Sequence, residues 1–202
     1  GGVELYRSAS PLAQRRATIR PWGWRAWRAG AFTLPTLIDA VRGEEPKTRA
    51  RAYRFHDAKN FLQLGRGVNY PTALEGALKL RELSYIPSEG TAAGEMKHGT
   101  NALIDEHLPV VAIALRDSTY KKMLSNIQEV RARAGVVIAI AHDGDDEIAG
   151  QADEVIRIPV TNELLSPALA VVPLQLLAYH ISDRRGNDVD QPRNLAKSVT
   201  VE

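Results

Sequence analysis

The sequence predicts an α/β fold, a doubly wound parallel sheet with helices on both faces. Two observations lead to this prediction. From residue 60 onward, short runs that are apolar on both faces alternate with longer stretches whose apolar residues recur at helical spacing. The resulting order, β-α-β-α-β-α-β-α, is typical of parallel strands joined by crossover helices in a three-layer, flavodoxin-like sandwich.

The individual elements follow from local signals. Pro71 can open the first helix because its fixed φ suits a first turn that does not need its missing N–H. Gly135 and Gly186 mark the ends of two later helices. The predicted strands are 61–64, 110–115, 136–141 and 154–159. The predicted helices are 71–86, a segment from 117 or 118 to about 135, 146–152 and 167–183.

The first 57 residues have a different character. Ten arginines lie between Arg7 and Arg54, and Trp22, Trp24 and Trp27 fall within six residues. A basic segment with tryptophans could bind nucleic acid, but charge without a recognisable scaffold supports this weakly, so no nucleic-acid partner is predicted.

No sustained periodicity precedes residue 34, so only 34–41 is predicted to form a short helix in this region. We therefore expect 1–57 to be an unassigned basic segment, disordered or mistranslated. Residues 58–186 are expected to form the α/β domain and 187–202 a tail that completes its active site.

Composition excludes several classes of function. The 202 residues include no cysteine, which rules out a disulfide scaffold, a thiolate metal site and a cysteine nucleophile. No run of 18 apolar residues indicates a membrane span, and the start of the sequence lacks a secretory signal pattern. We expect a cytoplasmic protein that does not contact membranes.

Two polar segments beyond the predicted elements could carry chemistry. Residues 88–99 combine three glycines with two acids, a lysine and His98, which can move protons near neutral pH. In the tail, Lys197 lies among small and apolar residues, and a lysine in a partly apolar site becomes a better nucleophile. From the residues alone, a histidine in such a loop is more often a hydrogen-bonding surface residue, and most chain termini are frayed.

The helix predicted at 71–86 carries a second candidate. Lys79 and Glu82 lie three residues apart and Glu75 lies four before Lys79, so all three share one face. Spacing alone fits an exposed ion pair. His180 is predicted to be a core or interface histidine, whereas no role is assigned to three histidines in predicted polar turns, His56, His107 and His142.

Several long motifs resemble one family. The first motifs are Gly65-Arg66-Gly67, Tyr70-Pro71 and residues 73–80, followed by Glu82 and residues 84–86. The next motif is formed by Glu89 and residues 92–95 and 97–99. The last motifs are residues 125–133, residues 173–180 and the whole tail, 188–202. Together they resemble the isomerase domain of the glutamine–fructose-6-phosphate aminotransferases, and specifically the second of its two sugar isomerase (SIS) subdomains plus the C-terminal tail. The resemblance runs from about residue 58 to the end.

The resemblance implies a reaction and a set of roles. The family condenses glutamine-derived ammonia with fructose 6-phosphate and isomerises the product to glucosamine 6-phosphate, an early step towards UDP-GlcNAc, without a metal or an organic cofactor. By position, Lys197 matches the lysine that forms a Schiff base, and Glu82 matches the base that moves a proton between C1 and C2. His98 matches the ring-opening histidine supplied by the neighbouring subunit of a homodimer, and Lys79 matches a supporting lysine.

The sequence also departs from the family pattern. Neither the cysteine of the glutaminase domain nor the phosphate-binding loop of the first SIS subdomain is found, and 1–57 does not resemble the family. We therefore expect the chain to be inactive alone. A non-catalytic SIS module that binds a phosphorylated sugar is the alternative. Because the helix at 167–183 is apolar on all sides, we also expect self-association.

Overall fold

The fold is built on one five-stranded sheet. A computed structural model describes the backbone of residues 21–195 and the side chains of 29–195. The strands are β1 (Phe61–Gly65), β2 (Ser88–Ala92), β3 (Pro109–Ile113), β4 (Val136–His142) and β5 (Glu154–Ile158). All neighbouring strands are parallel, in the order β2-β1-β3-β4-β5. This doubly wound order confirms the predicted fold class.

Helices cover both faces of the sheet. They are α1 (Pro21–Gly43), α2 (Glu45–Phe55), α3 (Tyr70–Ser84), α4 (Tyr120–Arg131), α5 (Asp146–Ala149) and α6 (Ser166–Arg184), with short 3₁₀ segments at Gly67–Asn69, Ala93–His98 and Thr100–Leu103. One core cluster joins α1, α2, α3 and α6 to one face, and the other joins α4, α5 and residues 93–108 to the opposite face. Successive residues of the buried strands enter alternate clusters, as side-chain alternation requires.

The strand β2 was not predicted from the sequence. Residues Ser88–Ala92 were interpreted as part of a glycine-rich loop, but they pair in parallel with all five residues of β1. Gly90 fits there because a Cβ at this position would lie 2.8 Å from the Leu74 Cα of the helix α3. Tertiary packing against that helix overrides the weak strand propensity of the segment.

The expectation for the first 57 residues was wrong for the part that the structure describes. Residues 21–43 and 45–55 are helical and pack against α6. Leu34, Val41 and Ala52 are almost fully buried there, and Arg51 Nε lies 3.2 Å from Glu154 Oε2. The first 20 residues lie outside the described part of the chain.

These two helices explain how the apolar helix α6 is covered. It packs against α1, α2 and α3, and His180 on it lies 2.9 Å from Glu45 Oε1 of α2. His180 is 5% exposed, as predicted for a core or interface histidine. Because the fold itself covers most of this helix, its apolar surface no longer requires a second copy, and self-association stays a prediction.

Gly65 connects the sheet to the first crossover without room for a side chain. A Cβ at this position would lie 2.7 Å from the Asn69 carbonyl carbon and 2.8 Å from the Tyr70 Cα, both of which are backbone atoms. We expect Gly65→Ala to lower the free energy of unfolding by about 3 kcal/mol, since the turn must shift. Urea unfolding followed by circular dichroism measures this.

Gly43→Ala is the matched control for that substitution. Nothing lies within 4 Å of a Cβ at Gly43, at the end of α1, and alanine has the higher helix propensity. Its unfolding free energy should equal or exceed that of the unsubstituted chain. Equal stability of the two variants would contradict the close approach described at Gly65.

None of the helices in the described residues is both long enough and apolar enough to cross a membrane.

Candidate active site

Three charged side chains form a row on the half-exposed face of α3. Lys79 Nζ lies 2.7 Å from Glu82 Oε2 and 3.8 Å from Glu75 Oε1. The three side chains retain between 27% and 38% of their exposure. The shared face predicted from the spacing is therefore confirmed, and the carboxylate of Glu82 is held by a direct charge-assisted hydrogen bond.

The electrostatic surroundings of Lys79 bear on the role that its amine can take. The hydrogen bond that it donates to Glu82 raises the pKa of Lys79, although partial burial opposes the rise. A protonated ammonium has no lone pair and cannot attack a carbonyl carbon. The geometry therefore suits Lys79 for orienting Glu82 and binding an anionic group rather than for forming an imine.

The C-terminal part of the chain returns to the end of this same helix. Ser182 Oγ and Asn187 Nδ2 both donate to the carbonyl oxygen of Leu83. Further on, Arg193 N donates to Tyr85 Oη at 2.9 Å, and its guanidinium lies 4.1 Å from the centre of the Tyr85 ring. These contacts bring the tail to within a few residues of Glu82 in the last turn of α3.

Lys197 lies outside the described residues, but its reach is limited by the chain. It follows Arg193 by four residues, and four extended residues span at most about 14 Å. Tyr85, which holds Arg193, follows Glu82 by three residues. The last described contact of the tail thus lies four residues before Lys197 and beside the end of α3.

The structure does not bring His98 to that row. This histidine lies in the 3₁₀ segment after β2, is 65% exposed on its side chain, and has its Nε2 atom 3.6 Å from Glu95 Oε2. It follows the end of β2 by six residues, whereas Glu82 precedes the start of β2 by six. Among the described contacts, the ion partner of His98 is Glu95 rather than a side chain of the charged row on α3.

Sequence reasoning missed a buried polar cluster at the carboxyl edge of the sheet. Asp145 is fully buried, and its Oδ1 accepts hydrogen bonds of 2.9 Å from Arg116 Nη2 and from Tyr120 Oη. His142, expected in a polar turn, is instead the buried last residue of β4, and its Nδ1 accepts from Arg116 N. The rule that ligands bind beyond strand ends could have drawn attention to residues 142–145.

Burial and hydrogen bonding shift the titration of this cluster. Burial alone would raise the pKa of Asp145, but the hydrogen bonds from Arg116 and Tyr120 outweigh it, so the pKa of Asp145 is lowered. Desolvation raises the pKa of Tyr120 and lowers that of His142. The cluster therefore holds a buried carboxylate that is ionised at neutral pH.

This buried carboxylate gives stability that depends on pH. Because the folded-state pKa lies below the unfolded value, the contribution is complete above about pH 4 and is lost as the pH falls through the folded pKa. We expect Asp145→Asn to lower the free energy of unfolding by about 2 kcal/mol at pH 7, with a smaller difference in acid.

Asp146→Asn is the matched control, since the side chain of Asp146 is 97% exposed. Its unfolding free energy should stay within about 0.5 kcal/mol of the unsubstituted chain at every pH. Urea unfolding between pH 3 and pH 7 measures both variants. A difference for Asp145→Asn that is constant over this range would contradict the ionised, hydrogen-bonded carboxylate.

At the topological switch point between β1 and β3, polar side chains bond to one another. Asn69 Nδ2 lies 3.3 Å from both Asp117 Oδ2 and Ser166 Oγ, and Asp117 Oδ1 accepts from the amide and hydroxyl of Thr119. Side chains of residues 29–195 form no group of three or more histidines and carboxylates that could hold a metal ion. The exposed row on α3 is thus better placed to meet a ligand.

A five-stranded, doubly wound parallel sheet with helices on both faces defines a three-layer α/β domain. A family model, the SIS domain, matches residues 54–182. The chain belongs to the SIS domain family.

Known relatives extend this result. The chain is 60% identical, over its full length, to glutamine–fructose-6-phosphate aminotransferase (isomerizing) of Thermus thermophilus, and covers 35% of that protein. It is 61% identical over 84% of its length to the protein of the same name from Chlorobaculum tepidum, covering 28% of it. The chain thus spans about a third of the length of these relatives.

A solved structure agrees with these relatives. The C-terminal domain of glucosamine-fructose-6-phosphate aminotransferase from Francisella tularensis superposes with a TM-score of 0.84 and 32% identity, over 90% of this chain and 51% of that one. The sequence resemblance is therefore confirmed. Because the Thermus alignment includes residues 1–57, the expectation that this segment does not resemble the family was wrong.

Proposed function

We propose that this chain is the C-terminal isomerase part of an aminotransferase that makes glucosamine 6-phosphate from fructose 6-phosphate and glutamine-derived ammonia. The observation that supports it most is the Lys79–Glu82 pair on an exposed helix face, with the tail that carries Lys197 fixed at the end of the same helix. The close relatives bear the name of this enzyme.

The proposed reaction uses these residues in sequence. The Lys197 amine attacks C2 of the open-chain ketose and releases water to form an imine, and ammonia then displaces the lysine. Glu82 removes a proton from C1 of the resulting imine and returns it to C2, while the C1 hydroxyl proton is transferred to the nitrogen, which gives the 2-amino aldose. One carboxylate suffices because C1 and C2 are adjacent, and the bond from Lys79 keeps it oriented.

Ring opening needs a separate acid–base group, and we assign it to His98 of a neighbouring subunit. The contacts of His98 support this assignment, because its ion partner is the neighbouring Glu95 and not a side chain of the charged row on α3. The active enzyme is then a homodimer. We place it in the cytoplasm, where it supplies amino sugar for UDP-GlcNAc, and we propose no cofactor.

A chimera tests the proposal. In the Thermus relative, residues 58–202 of this chain replace the matching segment, so that the remaining parts of that enzyme are supplied. We expect fructose 6-phosphate and glutamine to be converted to glucosamine 6-phosphate. A folded chimera that binds fructose 6-phosphate without converting it would instead favour the non-catalytic sugar-phosphate module.

A further inference from the structure

Arg66 lies in the turn between β1 and α3, and the proposed reaction assigns it no role. Its side chain is half-buried, and its carbonyl oxygen accepts from Asn69 N at 3.0 Å. Within the part of the chain that the structure describes, the guanidinium has one hydrogen-bond partner, Asn126, and no carboxylate partner. Its charge is therefore not used in an ion pair, and its other contacts indicate its role.

The guanidinium of Arg66 joins two elements from distant parts of the chain. Nη1 donates to Oδ1 of Asn126 on α4 at 2.8 Å, and Asn126 is itself buried. A Cβ built at Gly94 would lie 3.2 Å from both Nη1 and Nη2 and 3.4 Å from Cζ. Because these three distances are nearly equal, the planar group lies face-on against Gly94.

Gly94 belongs to the 3₁₀ segment Ala93–His98, which we call the His98 segment. This segment is buried at Ala93 and Met96, in the core cluster that α4 also joins, and then leaves the core. The His98 side chain at its end is 65% exposed. Since Gly94 precedes His98 by four residues, a displacement of the segment at Gly94 moves the imidazole with it.

Arginine is suited to this position by its shape. A guanidinium can donate along its edge to Asn126 while its flat face covers the backbone at Gly94. The ammonium of a lysine is a point charge on a flexible stem, so it can make one of these contacts but not both. The contact at Gly94 also needs a residue without a side chain.

Direct binding of the substrate by Arg66 is the alternative. Gly65, the residue before it, lies against the backbone of Tyr70 at the start of α3, whereas Glu82 lies in the last turn of that helix. Twelve helical residues separate Tyr70 from Glu82, a rise of about 18 Å. Arg66 is therefore poorly placed to hold a sugar phosphate whose C1 and C2 lie at Glu82 of the same chain.

We propose that Arg66 is a positioning residue. Its guanidinium, held by Asn126, supports Gly94 and thereby fixes the segment that carries His98. This support is a property of the fold. Its consequence for catalysis rests on the proposed function, in which His98 opens the sugar ring in the neighbouring subunit.

Hydrogen–deuterium exchange of the whole chain, read by mass spectrometry, tests the support directly. Arg66→Ala should raise the exchange rate of the amides of residues 94–99 by about tenfold, because local opening no longer breaks this contact. Arg131→Ala is the matched control. Arg131 also lies on α4, but it contacts Gln151 and Asp153, so its loss should leave exchange at 94–99 unchanged.

Two variants of Asn126 separate the support from a general loss of stability. Asn126→Asp keeps an oxygen that accepts from Arg66, so exchange at 94–99 should stay slow. Asn126→Ala removes that oxygen, so exchange should increase as in Arg66→Ala. Circular dichroism confirms that each variant is folded. Exchange at 94–99 that is unchanged in both alanine variants would overturn the proposal.

A substrate that cannot close its ring tests the catalytic consequence. 5-Deoxyfructose 6-phosphate lacks the hydroxyl that attacks C2, so it stays open. In the chimera, Arg66→Ala should lower kcat for fructose 6-phosphate by about 10²-fold, the loss that a displacement of about 1 Å can cause. With the open-chain analogue, kcat should change by less than about twofold, since ring opening is no longer needed. His98→Asn should show the same difference between the two substrates.

The two experiments have separate outcomes. Equal losses of kcat with both substrates, or a rise in KM for both, would show that Arg66 acts on the sugar or on Glu82 and would overturn the proposal. A chimera that converts neither substrate would contradict the proposed function. In that case the exchange rates would still decide whether Arg66 supports the His98 segment.

Discussion

Replacing Glu82 with glutamine in the chimera is expected to lower kcat for glucosamine 6-phosphate formation by about 10²–10⁴-fold. Glutamine keeps the size and can still accept the hydrogen bond that Lys79 donates at 2.7 Å, but it cannot take a proton from C1. KM for fructose 6-phosphate should change little, since the reacting proton is not a binding contact. Steady-state kinetics with a coupled assay for the product measure both values.

Glu75→Gln separates loss of the base from loss of charge beside Lys79. Glu75 lies on the same face of α3, with its Oε1 atom 3.8 Å from Lys79 Nζ. The Glu75→Gln substitution should lower kcat by less than about tenfold, because a weak, half-exposed ion pair contributes little to holding Lys79 in place. Equal losses in the two variants would show that the row acts through its net charge, and would remove Glu82 from the role of base.

Replacing Lys197 with arginine is expected to reduce turnover of the chimera to that of a variant that lacks residues 188–202. Arginine keeps the positive charge but is not deprotonated in proteins and cannot form the imine. Lys79→Arg is the matched control, because it keeps the charge beside Glu82 and leaves Lys197 intact. It should retain measurable turnover. Loss in Lys79→Arg with activity in Lys197→Arg would reverse the two assignments.

The central part of the fold could be predicted because its signals are local. The strands β1, β3 and β4 are apolar on both faces, and their two-sided burial follows from covering helices alone. The edge strand β2 could not be predicted, because Ser-Glu-Gly-Thr-Ala has low strand propensity and pairs only once β1 is in place.

The helix α1 was mostly missed because its sequence contains Pro35 and several glycines, which a local prediction treats as breaks. It is held by burial of Leu34 and Val41 against α6, which depends on contacts about 130 residues distant along the chain. The charge balance of this segment, by contrast, carried no information about its fold, since Arg and Lys can extend into solvent from a packed helix.

The candidate site was predictable only in part. The spacing of Glu75, Lys79 and Glu82 gave their shared face, because helical geometry alone fixes it. The burial of His142 and Asp145 could not be predicted from the sequence. A short polar turn after a strand has the same sequence pattern whether it is exposed to solvent or covered by a side chain such as that of Tyr120. The return of the tail to Tyr85 depends on long-range contacts that no local pattern encodes.

The position of the covalent adduct shows which lysine forms the imine with fructose 6-phosphate. The chimera is incubated with fructose 6-phosphate, the imine is reduced with borohydride, and the modified lysine is identified by peptide mass spectrometry. We expect an adduct at Lys197 that vanishes in Lys197→Arg and persists in Glu82→Gln, where only proton transfer is blocked. An adduct at Lys79, or trapping that is unchanged by Lys197→Arg, would contradict it.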